Sequence, residues 1–342
     1  MTIPIENIYY LLCYAWDKLA EKDVVDVDAV DSASLADLFA RVLISGTKHL
    51  LKRGFDRGYV PQHEWTPRPR GRIDFQQFAR RGRTVAARLP CSFDDLSYDV
   101  LHNQILKATM VGLLRTVGLA AESAEGLSHL RRLFSEIRDI ELTGRVFRRV
   151  QLHRNNQFYD FLMRVCELVY WNSLATETRG TAKFMDFVRD EKQMASLYES
   201  FVRNFYKKEA REYRVGRENI AWKWHAVDDT SASLLPRMQT DISLESADRK
   251  IIIECKFTPE ATQHHYEADK LRSSHLYQIH AYLNNLEPGP LTDTCEVVLL
   301  YPTVHDTMSA TYSERGRTIR IRTINLDQPW KQIHTDLLAL VA

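Results

Sequence analysis

The run PRMQTDISLESADRKIIIECKF, from Pro236 to Phe257, leaves few choices of local fold. Two strand-like runs flank Ser246-Ala247-Asp248-Arg249, which is turn chemistry, so the pattern predicts an antiparallel hairpin. With the turn centred between Ala247 and Asp248, Asp241 falls opposite Glu254. Alternate residues of a strand share a face, so Glu254 and Lys256 point the same way and Cys255 points away, towards a core. Two carboxylates and one ammonium are thereby gathered at the strand ends.

Adjacent carboxylates repel unless a cation lies between them. A divalent ion with oxygen ligands, Mg²⁺ first and Mn²⁺ as a substitute, would resolve this and leave positions for phosphate and water. Lys256 could then orient or deprotonate an attacking water, or neutralise the phosphate in its transition state. A surface salt bridge at a sheet rim explains Asp241, Glu254 and Lys256 equally well on local pattern. The tripeptide is no guide by itself, since Asp190-Glu191-Lys192 and Asp248-Arg249-Lys250 have the same form outside a strand.

The following helix, expected over about Lys270 to Leu286, favours the functional reading. It carries Gln278 and Tyr282, four residues apart and therefore on one face. A strand ending in [DE]xK followed by a helix with Q-x-x-x-Y resembles the PD-(D/E)xK nucleases, in particular their RecB-like branch. That resemblance implies Asp241, Glu254, Lys256 and Gln278 as catalytic residues, with Asp241 and Glu254 on the metal and Tyr282 in support. It also implies an acidic residue on the helix before the sheet, for which Glu199 is the candidate.

Around this core, periodicity predicts helices at Glu6–Leu19, after Ser34, at Tyr98–Val117, at Gln157–Trp171 and from Met194 to Phe205. Strands are expected at Thr84–Phe93, Ala221–Val227, Met238–Leu244, Lys250–Phe257, Cys295–Tyr301 and Thr318–Ile324, and a last helix from about Pro329. Gly54 to Phe75 reads as irregular, with short strands and a projecting loop, because Gly54, Gly58, Pro61, Pro67, Pro69 and Gly71 interrupt it. A polar stretch near residue 178 divides an α+β domain, residues 1–178, from an α/β domain, residues 179–342, built around a mixed central sheet. On the nuclease resemblance the second domain is restriction-endonuclease-like.

Composition narrows the function classes. Five widely spaced cysteines contain no CxxC pair, so neither a disulfide framework nor a zinc knuckle is signalled, and His264-His265 reads as a solvated loop pair. No apolar run approaches membrane-spanning length and the N-terminus lacks signal-peptide form, so a cytoplasmic location is expected. Net charge is only +1, yet ten Lys or Arg face three acids between Lys52 and Arg88, and seven face three between Arg131 and Arg154. Such patches suit nucleic-acid phosphates or an acidic partner.

The segments Ile5-Glu6-Asn7-Ile8-Tyr9-Tyr10, Tyr14-Ala15-Trp16, Gly71-Arg72-Ile73-Asp74-Phe75, Phe187 to Lys192, Leu234 to Asp241 and Leu276-Tyr277-Gln278 together resemble the McrC family, endonuclease subunits of McrBC restriction systems. The resemblance spans nearly the whole chain in order, with Glu254 where other members carry aspartate. It implies a partner, an McrB-like AAA+ GTPase ring that uses the GTP and recognises DNA containing modified cytosine. It further implies that the N-terminal domain enters the ring pore and stimulates GTP hydrolysis, and that the nuclease domains can dimerise in the complex. In keeping with this, the chain lacks G-x-x-x-x-G-K-[ST]. The basic segment of about 52–83 is the candidate pore element, with Arg57, Arg68, Arg70 and Arg72 as candidate stimulating residues; a DNA-facing surface is the other reading. The alternatives to a motor-dependent nuclease are a catalytically silent GTPase-activating subunit and a nuclease that needs no motor.

Overall fold

The computed structural model describes residues 3–18, 34–81, 88–153, 157–175, 182–184, 190–224, 227–228, 234–258, 262–265, 268–304 and 307–342. Two compact units divide the chain, one made mainly of Asp31–Met185 and the other mainly of Asp186–Ala342. The first helix, α1 (Ile5–Ala15), belongs to the unit that contains Asp186–Ala342. The expected 1–178 division grouped this helix with the other unit, and its boundary near 178 lies outside the described residues. Asn7, 2% exposed, donates from Nδ2 to the carbonyls of Leu326 and Gln328, both at 2.8 Å. Tyr14 donates to Glu209 at 2.8 Å, and Tyr10 stacks on Trp330 with centroids 4.7 Å apart. An amphipathic stripe announces that a helix is buried but does not name the surface that buries it.

The other unit opens with α2 (Leu35–Arg53), where Ser34 Oγ accepts the Asp37 amide at 3.2 Å as an N-cap. Gly54 ends the helix at φ 88°, in the left-handed region that glycine reaches without strain. The segment expected to hold short strands and a projecting loop does form strands, one of them nine residues long. β1 (Gly58–Thr66), β2 (Arg72–Ile73) and β3 (Leu89–Ser97) form an antiparallel sheet in the order β1-β3-β2, with α3 (Phe75–Arg81) after the second strand. Pro61 sits within β1, which is an edge strand and so tolerates a residue with no N–H. Asp74 Oδ1 accepts the amides of Gln76 and Gln77 at 3.1 and 3.0 Å and starts α3. Of the strand expected from Thr84, residues 84–87 lie outside the described residues.

The helices of this unit are α4 (Leu101–Leu114), α5 (Ala121–Leu133), α6 (Gly144–Arg148) and α7 (Gln157–Asn172). A short ribbon follows, β4 (Ser173–Ala175) against β5 (Ala182–Phe184). Polar groups tie α4 and α7 to the root of β1. Tyr159 donates to Asn103 Oδ1 at 2.9 Å and accepts the Asp56 amide at 3.1 Å, while Asn103 Nδ2 donates to the carbonyls of Asp56 and Tyr98.

The unit from Asp186 is built on a mixed six-stranded sheet. After α8 (Glu191–Glu209), capped by the Asp190 carboxylate, come β6 (Arg214–Gly216), β7 (Asn219–Ile220), β8 (Met238–Gln239), β9 (Ile242–Glu245) and β10 (Lys250–Cys255). A ribbon of β11 (Thr262–His265) and β12 (Ala268–Leu271) leads to α9 (Ser273–Asn285) and the short α10 (Pro290–Asp293). Then follow β13 (Glu296–Thr303), β14 (Ser309–Glu314), β15 (Arg317–Asn325) and α11 (Trp330–Ala339). Strand order is β14-β15-β13-β10-β9-β6, with β13 parallel to both β10 and β15 and the other pairs antiparallel.

Two expectations fail here. Residues 221–224 form no strand: Trp222 Nε1 donates to the Pro236 carbonyl at 2.7 Å and the Lys223 amide to Asn285 Oδ1 at 2.9 Å, so side chains and loop atoms replace ladder partners. Residues 225 and 226 lie outside the described residues. His264-His265, expected to be a loop pair, lies in β11.

The register of β9 and β10 has Ile253 opposite Ile242 and Lys250 opposite Glu245, the pairing expected from the turn. On one face of the sheet Ile252, Val297, Leu299, Tyr301 and Ile321 pack against Ile279, Tyr282 and Leu283 of α9. Glu254 and Lys256 continue the row of Ile252, so the sheet carries its charged residues under this helix.

Candidate active site

The β9–β10 ladder stops at Ile242 and Ile253, and the next residue on each strand is acidic. Asp241 Oδ2 accepts the Cys255 amide at 2.9 Å, which closes the hairpin's open end with a carboxylate instead of a carbonyl. Glu254 is 1% exposed, and Lys256 Nζ donates to its Oε1 at 2.7 Å. The same ammonium donates to Gln278 Oε1 at 2.7 Å. Gln278 Nε2 in turn donates to the Tyr282 hydroxyl at 2.8 Å. That hydroxyl lies 2.9 Å from the Gln239 carbonyl and 3.2 Å from Glu254 Oε2, two acceptors for its one proton. Glu254, Lys256, Gln278 and Tyr282 are therefore one hydrogen-bonded network between strand and helix, and the Cys255 amide holds Asp241 at the neighbouring strand end.

Burial pushes the Asp241 carboxyl up to about 7, and the charges of Glu254 and Glu199 push the same way; the Cys255 amide and Lys256 only partly oppose them. Burial, followed by the Glu254 charge, also raises the Tyr282 phenol. The site thus carries more negative charge than its own lysine neutralises. Glu199, on α8, is turned to the guanidiniums of Arg203, at 2.6 Å, and Arg217. Arg203 Nη1 reaches the Asp241 carbonyl at 3.5 Å, so Glu199 bears on the site through that arginine and through its charge. Cys255 faces the other side of the sheet, 8% exposed, with its thiol raised well above the usual range by burial and then by the Asp241 charge.

These residues fit a divalent cation. Asp241 and Glu254 would supply hard oxygen ligands, and such an ion would offset the Glu254 repulsion that, after burial, pushes Asp241 up. Among the described residues no three His, Cys, Asp or Glu side chains group closely enough to hold a metal, so two carboxylates would leave the rest of the shell to water and substrate oxygens.

Over residues 6–302 the sequence matches the McrBC family, described as 5-methylcytosine restriction system component. The chain belongs to that family. Its identity to the type IV methyl-directed restriction enzyme EcoKMcrBC of Escherichia coli K12 is 32% over 341 residues, covering 98% of this chain and 96% of the relative. Its fold is similar to a chain of the Thermococcus gammatolerans assembly of McrB AAA+ hexamers with bound McrC, at a TM-score of 0.62 and 16% identity, over 99% of this chain and 76% of that one.

In this McrBC-family chain the candidate partner-contacting arginines do not form a cluster of free charges. Arg57 donates to the Tyr98 hydroxyl and lies over that ring at 4.3 Å. Arg70 covers Phe93 at 4.3 Å and faces Asp95 at 4.0 Å. Arg72, in β2, lines an open cavity of about 670 Å³ together with His63, Asp74, Phe75 and Ser92. Arg68 follows β1 and offers its carbonyl to Thr66 Oγ1 at 2.7 Å. Gly71 in the same turn has φ 62°, and a Cβ there would collide with the Ser92 carbonyl. Among the described residues no helix is long and apolar enough to cross a membrane.

Two residues of the site escape sequence reasoning. His275, one turn before Gln278 on α9, meets the Tyr301 hydroxyl of β13 through Nδ1 at 2.9 Å. The signal is present: 275, 278 and 282 follow helical spacing on one face. Tyr301, however, is reached only through the parallel pairing of β10 with β13.

Proposed function

We propose that this chain is the endonuclease subunit of a modification-dependent restriction complex, hydrolysing DNA phosphodiesters with Mg²⁺ when assembled with an McrB-like AAA+ GTPase ring. The observation that carries this is the bridging of Lys256 between Glu254 and Gln278, at 2.7 Å each, beside Asp241. A plain rim salt bridge has no use for a buried glutamate, a second carboxylate at one strand's end and a glutamine locked by tyrosine.

Asp241 and Glu254 would hold the ion, which when bound supplies Lewis-acid stabilisation of charge on phosphate oxygens and an activated water. The protein's own contribution is placement. The Cys255 amide fixes the Asp241 carboxylate, and Tyr282 fixes Glu254 Oε2, so neither ligand swings freely. Lys256 Nζ, aimed by two acceptors, is positioned to orient the attacking water and to offset charge on the phosphate. Gln278 holds the ammonium through its oxygen and donates its amide protons to Tyr282, which sets the flip of the amide group.

The partner follows from family membership and from the composition of the similar assembly, McrB hexamers with bound McrC. The strand-rich segment around β1 to β3, with Arg57, Arg68, Arg70 and Arg72, is the part assigned to the ring and to stimulation of its GTP hydrolysis. GTP is bound by the partner, and recognition of modified cytosine resides there too.

The test is cleavage of methylated and unmethylated plasmid in Mg²⁺ by this chain alone and with the cognate GTPase and GTP, each beside Asp241→Asn. Cutting confined to the complete mixture and abolished in the variant supports the proposal. GTP hydrolysis that is accelerated without any cutting would instead make the chain a silent activator.

A further inference from the structure

Beyond the carboxylates, α9 carries the same face one turn further towards its N-terminus. His275, Gln278 and Tyr282 recur at i, i+3 and i+7, and each makes a rung to the strand ends below. Tyr282 reaches Glu254, Gln278 reaches Lys256, and His275 reaches Tyr301. The first two rungs are accounted for by the carboxylate site. The third holds an imidazole beside Lys256 and serves none of the groups described so far.

Its surroundings are cationic. Burial, then the Lys256 ammonium, then the Arg272 guanidinium push the His275 imidazole down to about 4, with no carboxylate among the described residues opposing them. Arg272, whose carbonyl accepts the His275 amide at 3.1 Å, has its Nε buried without a hydrogen-bond partner among the described residues. An unpartnered buried guanidinium nitrogen is costly unless a ligand satisfies it. Tyr301 engages Nδ1 of His275, which leaves Nε2 as the nitrogen able to meet a ligand.

Resting on the nuclease reading above, we propose that Arg272 and His275, with Tyr301 orienting the imidazole, form a phosphate subsite next to the carboxylates that takes the phosphodiester neighbouring the one cleaved. The guanidinium contributes charge and a fork of donors. The neutral imidazole contributes one directed donor without adding a third positive charge beside Lys256. Bound there, the neighbouring phosphate fixes the register of the strand, so the scissile group is presented to Lys256 and not merely held near it. His275 and Arg272 are positioning residues in this account.

The experiment uses the full chain in EDTA, where cutting is suppressed, titrated with a short fluorescent DNA duplex over a range of salt. Arg272→Ala is expected to weaken binding roughly 10-fold, on the scale of one charge-assisted hydrogen bond. It should also flatten the slope of log Kd against log salt by about one, as expected when one fewer phosphate is neutralised. His275→Leu should weaken binding with the salt slope unchanged, His275→Gln should restore most of the affinity through its amide donor, and Tyr301→Phe should lie between. Thermal midpoints near wild type for Arg272→Ala and His275→Gln separate these effects from misfolding.

Wild-type binding and salt slope retained in Arg272→Ala would overturn the subsite, as would a wild-type chain that binds no duplex at all. The plasmid assay keeps the two readings apart. Intact binding through Arg272 with no cutting in the complete mixture would sink the nuclease reading alone. Cutting with an unaltered Arg272→Ala slope would sink the subsite alone.

Discussion

The amide of Cys255 donates to Asp241 Oδ2 at 2.9 Å, across the point where the β9–β10 ladder ends. A backbone donor left without a ladder partner where β9 ends is thereby spent on orienting a carboxylate. Asp241→Asn keeps an acceptor for that amide but removes the charge that a cation would bind. The expected outcome is loss of DNA cutting in the complete mixture with normal folding and unchanged stimulation of the partner's GTPase, read by plasmid cleavage and phosphate release.

The same carboxyl makes stability depend on pH. Burial, then Glu254 and Glu199, raise Asp241 to about 7, above the roughly 3.9 of an unfolded aspartate. The folded state then binds the proton more tightly than the unfolded one. Its stabilising contribution is complete below about pH 4 and is lost as pH rises through about 7. In EDTA the thermal midpoint should fall across that window. Asp241→Asn should flatten the dependence, and saturating Mg²⁺ should raise the midpoint at the alkaline end.

Lys256→Ala removes the ammonium that bridges Glu254 and Gln278. A group acting on the attacking water is worth roughly 10²- to 10⁴-fold in rate, so cleavage should drop by that factor at saturating DNA. A residual rate close to wild type would limit Lys256 to a structural ion pair.

Tyr282→Phe strips the hydroxyl from its three partners, leaving the Gln278 amide without its acceptor and the Gln239 carbonyl and Glu254 carboxylate without the one proton between them. Outer partners of metal ligands typically matter about 10- to 100-fold, and a smaller rate loss than that of Lys256→Ala is expected. The variant should also lose about 1–3 kcal/mol of stability in a urea titration, the cost of unsatisfied buried polar groups.

Lys250, 6% exposed on its side chain, pairs with Glu218 at 2.8 Å. Glu218→Ala leaves that ammonium only the more distant Glu245, at 4.0 Å, and should cost up to about 3 kcal/mol, whereas the double change Lys250→Met with Glu218→Leu should recover most of it. Denaturant midpoints of the wild type and the two variants decide this.

How much of this is legible in the sequence varies with the range of the interactions. The hairpin is readable down to its register, because a short turn fixes which residues face each other and Ile251 to Ile253 can only be buried. Gln278 and Tyr282 are readable because four residues on a helix are neighbours whatever surrounds them. The segment around Pro61 misleads, since proline forbids a central strand and only the sheet order shows that β1 is an edge. Asn7 gives no hint that its acceptors are Leu326 and Gln328. Likewise His275 and Tyr301 meet through a parallel strand pairing that a linear reading cannot place.

The position of α1 has a consequence for how the chain is made. Ile8, Leu11, Leu12, Cys13 and Tyr14 are buried in the unit that contains Asp186–Ala342, and the acceptors of Asn7 are Leu326 and Gln328. During synthesis this apolar helix has no native surface to cover it until α8 has emerged, and its cover is complete only with α11. At roughly 5–20 residues per second, that is a wait of tens of seconds, during which the stripe is a binding site for chaperones. A nascent chain stalled before α11 would leave Tyr10 and Tyr14 without the Trp330 ring that covers them.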